Sequence, residues 1–247
     1  MRRSPMLVGI VAVIAIAAAA GVYGFATLFL HPAPSAVGLD PGSSQPAASI
    51  GSLPTGATST LVSGVDGSWT IDASIGSFSD FSDSWVGYRV DETLAGNRAN
   101  TAVGRTPDVT GTLALSGSQV TAVDVTANLQ TLHSDDNRRD GQLHRQALET
   151  DQFPQATFKL TGPIELGSAP ADGQTINATA TGELTLHGVT KTVQVPIQAQ
   201  LSGDVVTVVG SIPIAFADYS IQPPTSFAIL SVEDHGTMEL QLHFRHQ

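Results

Sequence analysis

The histidines are the residues with the widest chemical reach. His133, His144, His187, His235, His243 and His246 all lie in the C-terminal part of the chain. No two of them have the helical HExxH spacing of a zinc protease. A metal set of His133, His144 and Asp140 is chemically available. The more economical reading is ordinary: His187 sits at a turn and bonds locally, while His243 and His246 fall on a polar strand face and near the terminus, in solvent. The stretch SDDNRRDG (Ser134 to Gly141) superficially offers calcium ligands, but a calcium loop needs a glutamate at its twelfth position. Counted from Asp136 that position is Ala147, and two arginines intrude. A structural role suits these residues better. Asp135 or Asp136 can cap a helix, where the helix dipole favours a carboxylate, and Arg138 or Arg139 can pair with an acidic neighbour. There is no GxSxG motif, no phosphate loop and no carboxylate pair at acid–base spacing. Cysteine is absent, which excludes disulfides, a thiolate nucleophile and cysteine-ligated zinc. The chain therefore reads as a binding module and not an enzyme, with no catalytic residue, metal or cofactor expected.

The elements around these residues are almost all strands. Val86, Tyr88 and Val90 alternate with polar neighbours, the mark of a strand with one buried face. The same alternation runs through Val109–Leu115, Val123–Leu129, Phe158–Leu166, Ile176–Leu186, Val193–Leu201, Val206–Ile214 and Met238–Phe244, with a short first strand at Trp69–Asp72. Tight turn signals at Ser116-Gly117-Ser118, His187-Gly188 and Ser202-Gly203-Asp204 make neighbours antiparallel. Glu92–Thr106 reads as irregular, with Gly96, Asn97, Asn100 and Gly104 as turn formers, and so does Phe216–Ser231. One interruption stands out: Arg138–Leu148 reads as a short helix with Leu143 and Ala147 on its apolar face, stopped before Pro154. Eight or nine strands either stack or close. Their length favours closure, which removes exposed edges. Small inward residues (Gly111, Gly162, Gly182, Gly210 and several alanines) either relieve curvature or leave a lumen. The expected fold is all-β, an antiparallel barrel of about eight strands with one short helix.

Three stretches, in order, resemble the YceI-like family. They are SWTIDASIGSFSDFSDSWVGYRV (Ser68–Val90), RRDGQLHRQALETDQFPQATF (Arg138–Phe158) and GELTLHGVTKTVQVPI (Gly182–Ile197). The resemblance spans about Ser68 to Phe244 and implies a lipocalin-like barrel that holds long-chain isoprenoid lipids. It also implies that Arg139-Asp140 pins the helix across one end. The lining expected for such a ligand is Val86, Tyr88, Val90, Phe158, Leu160, Leu184, Leu186, Val193, Val195, Ile212, Met238 and Leu240. A long prenyl tail fits apolar walls, since each buried CH₂ contributes about 0.8 kcal/mol. The alternative is a ligand-free structural or partner-binding domain of the cell envelope.

The ends of the chain differ in composition. Residues 1–5 form a short basic tail, and 6–30 contain no charge, enough to cross a bilayer as helix given the roughly 20 residues needed. With Arg2 and Arg3 the only basic flank, the tail stays inside and the rest outside. Residues 31–67 are rich in Pro, Gly, Ser and Ala and read as a flexible extracytoplasmic linker, followed by one domain over 68–247. The expectation is a single-pass protein of the cytoplasmic membrane. The formal net charge is −11, and it is carried by the part beyond Arg3. Such a charge argues against nucleic acid as a partner.

Overall fold

Alternating apolar residues close a sheet on itself in this protein. The computed structural model describes residues 33–39, 64–224 and 229–247. The chain divides into two compact units, Met1–Pro34 and Ser35–Gln247. Nearly all of the first lies outside the described residues, and with it the expected membrane helix over 6–30. Most of the expected linker lies outside them too. Among the described residues no helix is long and apolar enough to cross a membrane.

The strands of the second unit are β1 (Gly67–Ile71), β2 (Trp85–Leu94), β3 (Arg98–Thr106), β4 (Val109–Ser116), β5 (Gln119–Asn128), β6 (His133–Ser134), β7 (Gln155–Leu160), β8 (Ile164–Glu165), β9 (Thr175–Leu186), β10 (Val189–Ser202), β11 (Val205–Ala215), β12 (Ile229–Val232) and β13 (His235–His246). One helix, α1 (Asn137–Gln142), lies between β6 and β7 and continues as a wide π turn over Leu143–Ala147. All strand pairings are antiparallel. The order β1-β4-β5-β7-β9-β10-β11-β13 returns to β1 through the β1–β13 pairing, giving a closed ring of eight. β2 and β3 extend that ring upward. Along β13, β1 pairs with Phe244–His246 and β2 with Thr237–Gln241, so β1 and β2 are one strand line interrupted by residues 72–84. β3 and β4 continue one another in the same way beside them.

Two expectations about strands are corrected. Residues 92–106 are not irregular: β2 and β3 form a hairpin in register from Val86↔Thr106 to Leu94↔Arg98, with the turn at 95–97. Asn97 and Gly96 take positive φ there, as a tight hairpin requires. The alternation is hidden because the inward positions of this pair include Glu92 and Asn100, which hydrogen-bond directly across the ladder at 2.8 Å. The run Phe158–Leu166 is not one strand either. It breaks at 161–163, where Pro163 has no N–H to give the ladder. Beyond the break β8 leaves the line of β7 and pairs with β5 through Val120↔Ile164.

Trp69 and Phe244 are buried inside the ring, and Trp69 satisfies its indole N–H on the Val65 carbonyl at 3.0 Å. Gly182 shows how a small inward residue is used. A Cβ there would lie 2.4 Å from the Phe158 ring and 2.5 Å from the Lys159 carbonyl. The glycine is therefore occupied space, filled by Phe158 from the neighbouring strand. Gly162, which lies outside the strands, has nothing within 4 Å of the same position. Gly182→Ala is expected to cost about 1–3 kcal/mol through overpacking, lowering the melting temperature by about 2–4 °C per kcal/mol. Gly162→Ala should leave the melt unchanged. Equal melts for both variants, by circular dichroism, would contradict this packing.

Candidate functional site

A filled eight-stranded barrel has an interior just wide enough for its own side chains, and natural cores hold few voids larger than one water. This barrel holds two. The first has a volume of about 140 Å³, counted as space the centre of a water molecule can visit, and the second about 130 Å³. Each is roughly ten times what one water requires. The first occupies the end near the β4–β5 and β10–β11 turns, bounded by Leu113, Val125, Ala178, Ala180 and Leu201 among others. The second lies under α1 and reaches Pro223-Pro224. Val86, Ala156 and Met238 border both, so the two meet inside the barrel.

Nine of the twelve residues expected to line the interior border these cavities. Phe158, Leu184, Val195 and Leu240 face the first, Tyr88, Val90 and Leu186 face the second, and Val86 and Met238 face both. Leu160, Val193 and Ile212 pack in the core and border neither cavity. Leu160 and Val193 are the two ladder partners of Gly182, where the Phe158 ring fills the lumen and screens them. Ile212 packs beside its ladder partner Met238. Alternation missed the contribution of the helix, since Arg139, Leu143, Ala147 and Leu148 close the second cavity from above. Their helical spacing was the available signal.

The helix is held by charge. Asp136 caps it, accepting from the backbone N–H of Arg138 at 2.7 Å and of Arg139 at 3.4 Å, a contact typically worth about 1 kcal/mol. Arg139 and Asp140 do not pair with each other, as the resemblance had implied through their adjacency. Consecutive helical residues point in different directions. Arg139 instead reaches Glu92 on β2 at 3.1 Å and Asp135 at 2.5 Å. Asp140 accepts from the backbone N–H and hydroxyl of Ser134 at 2.9 and 2.6 Å, tying the helix to β6. Burial works against the Arg139 charge, but Glu92 and Asp135 outweigh it and raise its pKa.

The histidines are more integrated than the sequence suggested. His187 is buried and its bonds are long-range. Its ring lies 3.0 Å from the Tyr219 carbonyl and 3.0 Å from the Glu149 carboxylate, with Phe153 stacked edge-on at 4.5 Å. His243 does point outward, but residues 72–84 cover it. It contacts the Ser82 carbonyl at 3.0 Å and the Thr207 hydroxyl at 2.9 Å, and burial lowers its pKa. Beside it, Glu239 is 2% exposed, paired with Arg89 at 3.2 Å, while Arg105 lies over the Trp85 and Phe81 rings. Residues 35–39 run over this patch, with Val37 N–H donating to Glu239 at 3.4 Å. His133 lies against Phe78, and His144 is 3.1 Å from the Thr150 hydroxyl. These two do not converge with Asp140 on a metal position. Among the described residues, the only three such ligand atoms within 4.8 Å of one another belong to Glu233, Asp234 and His235, all exposed.

The comparisons with known proteins agree with this geometry. A family model described as the YceI-like domain matches residues 58–244. A polyisoprenoid-binding domain from Saccharophagus degradans, implicated in plant cell wall breakdown, superposes with a TM-score of 0.54 at 16% identity, covering 73% of this chain and 98% of that one. BcnA from Burkholderia cenocepacia superposes at 0.51 with 21% identity, over 70% of this chain and 98% of its own. At these identities the likeness is one of fold. No curated protein matches the sequence.

The Arg139–Glu92 pair generates a stability prediction. Both side chains are largely buried, so removing one strands the other. Arg139→Ala or Glu92→Ala should each cost on the order of 3–5 kcal/mol. Replacing both with apolar residues of similar size (Arg139→Met with Glu92→Leu) should cost less than the two single losses combined. Additive losses in urea unfolding would show that the pair is not coupled.

Proposed function

Because the chain belongs to the YceI-like domain family, we propose that its barrel binds a long-chain isoprenoid or a similar lipid along the lumen. The observation that carries this reading is the pair of abutting apolar cavities inside a closed ring of strands. A structural barrel would fill such space, because unfilled core volume costs about 24 cal/mol per Å³. A hydrocarbon chain regains that loss, each methylene contributing about 0.8 kcal/mol on leaving water. The shape suits a long, narrow ligand, since the two cavities follow one another along the barrel. The description of the Saccharophagus protein as polyisoprenoid-binding supports a prenyl chain over other lipids. The role is one of holding and carrying: the polar side chains that reach the lumen are committed to one another, with no nucleophile–base pair among them.

The uncharged run over 6–30, with its basic flank at Arg2 and Arg3, supports anchoring in the cytoplasmic membrane with the barrel on the outer side. The net charge of −11 disfavours adhesion of the barrel to anionic headgroups, which suits release of a carried lipid.

Leu184 borders the first cavity and is 3% exposed. Leu184→Trp is expected to abolish uptake of a fluorescent prenyl lipid while leaving the melting temperature within a few degrees, because the indole enters open lumen. A large fall in melting temperature, in a protein whose parent takes up no lipid, would point instead to a ligand-free structural or partner-binding barrel. For the anchor, the intact chain is expected in the membrane fraction, with the barrel digested by protease added outside the cytoplasmic membrane. A chain released into the medium and beginning near Gly21 would overturn that arrangement.

A further inference from the structure

The second cavity differs from the first in carrying functional groups. Tyr88, Glu92 and Arg139 border it, inside walls that are otherwise mostly aliphatic. Thr237 borders it too, but it faces Arg89 across the ladder, on the outer side of the sheet. Two of the three inward groups are already engaged. One oxygen of Glu92 accepts from Arg139 at 3.1 Å and from Asn100 at 2.8 Å. The other terminal nitrogen of Arg139 donates to Asp135 at 2.5 Å and lies 3.4 Å from the Ser134 hydroxyl.

Tyr88 is different. Its hydroxyl has no hydrogen-bond partner among the described residues. The ring is held in place: it lies flat over Gly104, where a Cβ would come within 2.4 Å of a ring carbon and 3.0 Å of the hydroxyl oxygen. Only glycine on β3 lets it sit there. A fixed phenol in an apolar chamber is a donor awaiting an acceptor, since an unmade buried hydrogen bond is costly. Burial pushes its ionisation up, so it stays neutral and keeps its proton. The charges acting on it are one guanidinium, Arg139, against three carboxylates, Asp140, Glu92 and Asp135.

Building on the lipid-binding reading, we propose that Tyr88 selects the ligand's head group at the helix end of the lumen: an uncharged acceptor, such as a ketone carbonyl on a prenyl chain, and not a phosphate. A carbonyl oxygen accepts the Tyr88 proton and brings no charge. A diphosphate would be stripped of water among three carboxylates, with both terminal nitrogens of the nearby arginine already taken. An amine would bring a cation beside Arg139 with no free carboxylate pair to receive it.

The test uses the purified full chain and four probes with one C15 prenyl tail: ketone, diphosphate, amine and headless hydrocarbon. Each displaces a fluorescent prenyl lipid. The ketone should bind tightest. Tyr88→Phe should weaken it roughly three- to tenfold, the reach of one net hydrogen bond. The same variant should leave the hydrocarbon unchanged and keep the parent melting temperature. Diphosphate or amine binding as tightly as ketone would overturn the proposal, and so would a ketone affinity indifferent to Tyr88→Phe. In either case a hydrocarbon that still binds leaves the lumen reading standing. If no probe binds, including the hydrocarbon, both readings fall.

Discussion

Closure of the barrel through β13 is the constraint on which the other features depend. β13 has one full-length neighbour, β11, and two half-length neighbours, β1 and β2, on its other edge. Eight strands must meet without a free edge, since a free edge would template association. They do so only if the first strand line carries both halves of that pairing. The excursion over 72–84 is what separates the halves, and it has nowhere to go but outward over the sheet. Closure thus decides both what is enclosed and what is covered outside.

What is enclosed follows from side-chain volume. The ring is fixed in width, so every alanine on an inward position subtracts from the filling. Ala156, Ala178 and Ala180 cluster where the first cavity lies. Phe158 works in the other direction, folding over Gly182 and filling that part of the wall. The lumen is therefore a residue-by-residue outcome on three adjacent strands, β7, β9 and β10, and not a general property of the barrel.

The helix end is closed by charge where apolar packing alone would make a plug. Arg139, Glu92, Asn100, Asp135 and Ser134 form a connected set that crosses from helix to strand. A buried ion pair of this kind contributes little net stability compared with an apolar substitute. It does fix the helix in register over the opening, and it keeps polar groups at one end of a chamber that is otherwise hydrocarbon. The outer patch of Glu239, Arg89 and Arg105 is a second buried ionic set, separated from the first by the thickness of one sheet. Side chains on β2 alternate between them, Tyr88 and Glu92 inward and Arg89 outward.

The sequence alone determined the fold class, the antiparallel order of the later strands, the helix and most of the lumen. Period-two alternation reports directly which side chains share a face, and tight turns report which strands are neighbours. It placed Val86, Tyr88, Leu184 and Met238 on the lumen side for that reason. It failed where a local pattern is overwritten by a distant partner. Residues 92–106 look irregular because Glu92 and Asn100 face inward to meet a helix more than thirty residues away in sequence. His243 sits on a polar face yet is buried, because only the folded chain brings 72–84 across it. Arg139 takes a partner on β2 and not its neighbour Asp140, since spacing gives direction on a helix but not what lies opposite. Whether an inward residue borders open space was likewise a tertiary decision: Leu160 and Val193 obey the alternation, and the ring of Phe158 takes the space in front of them.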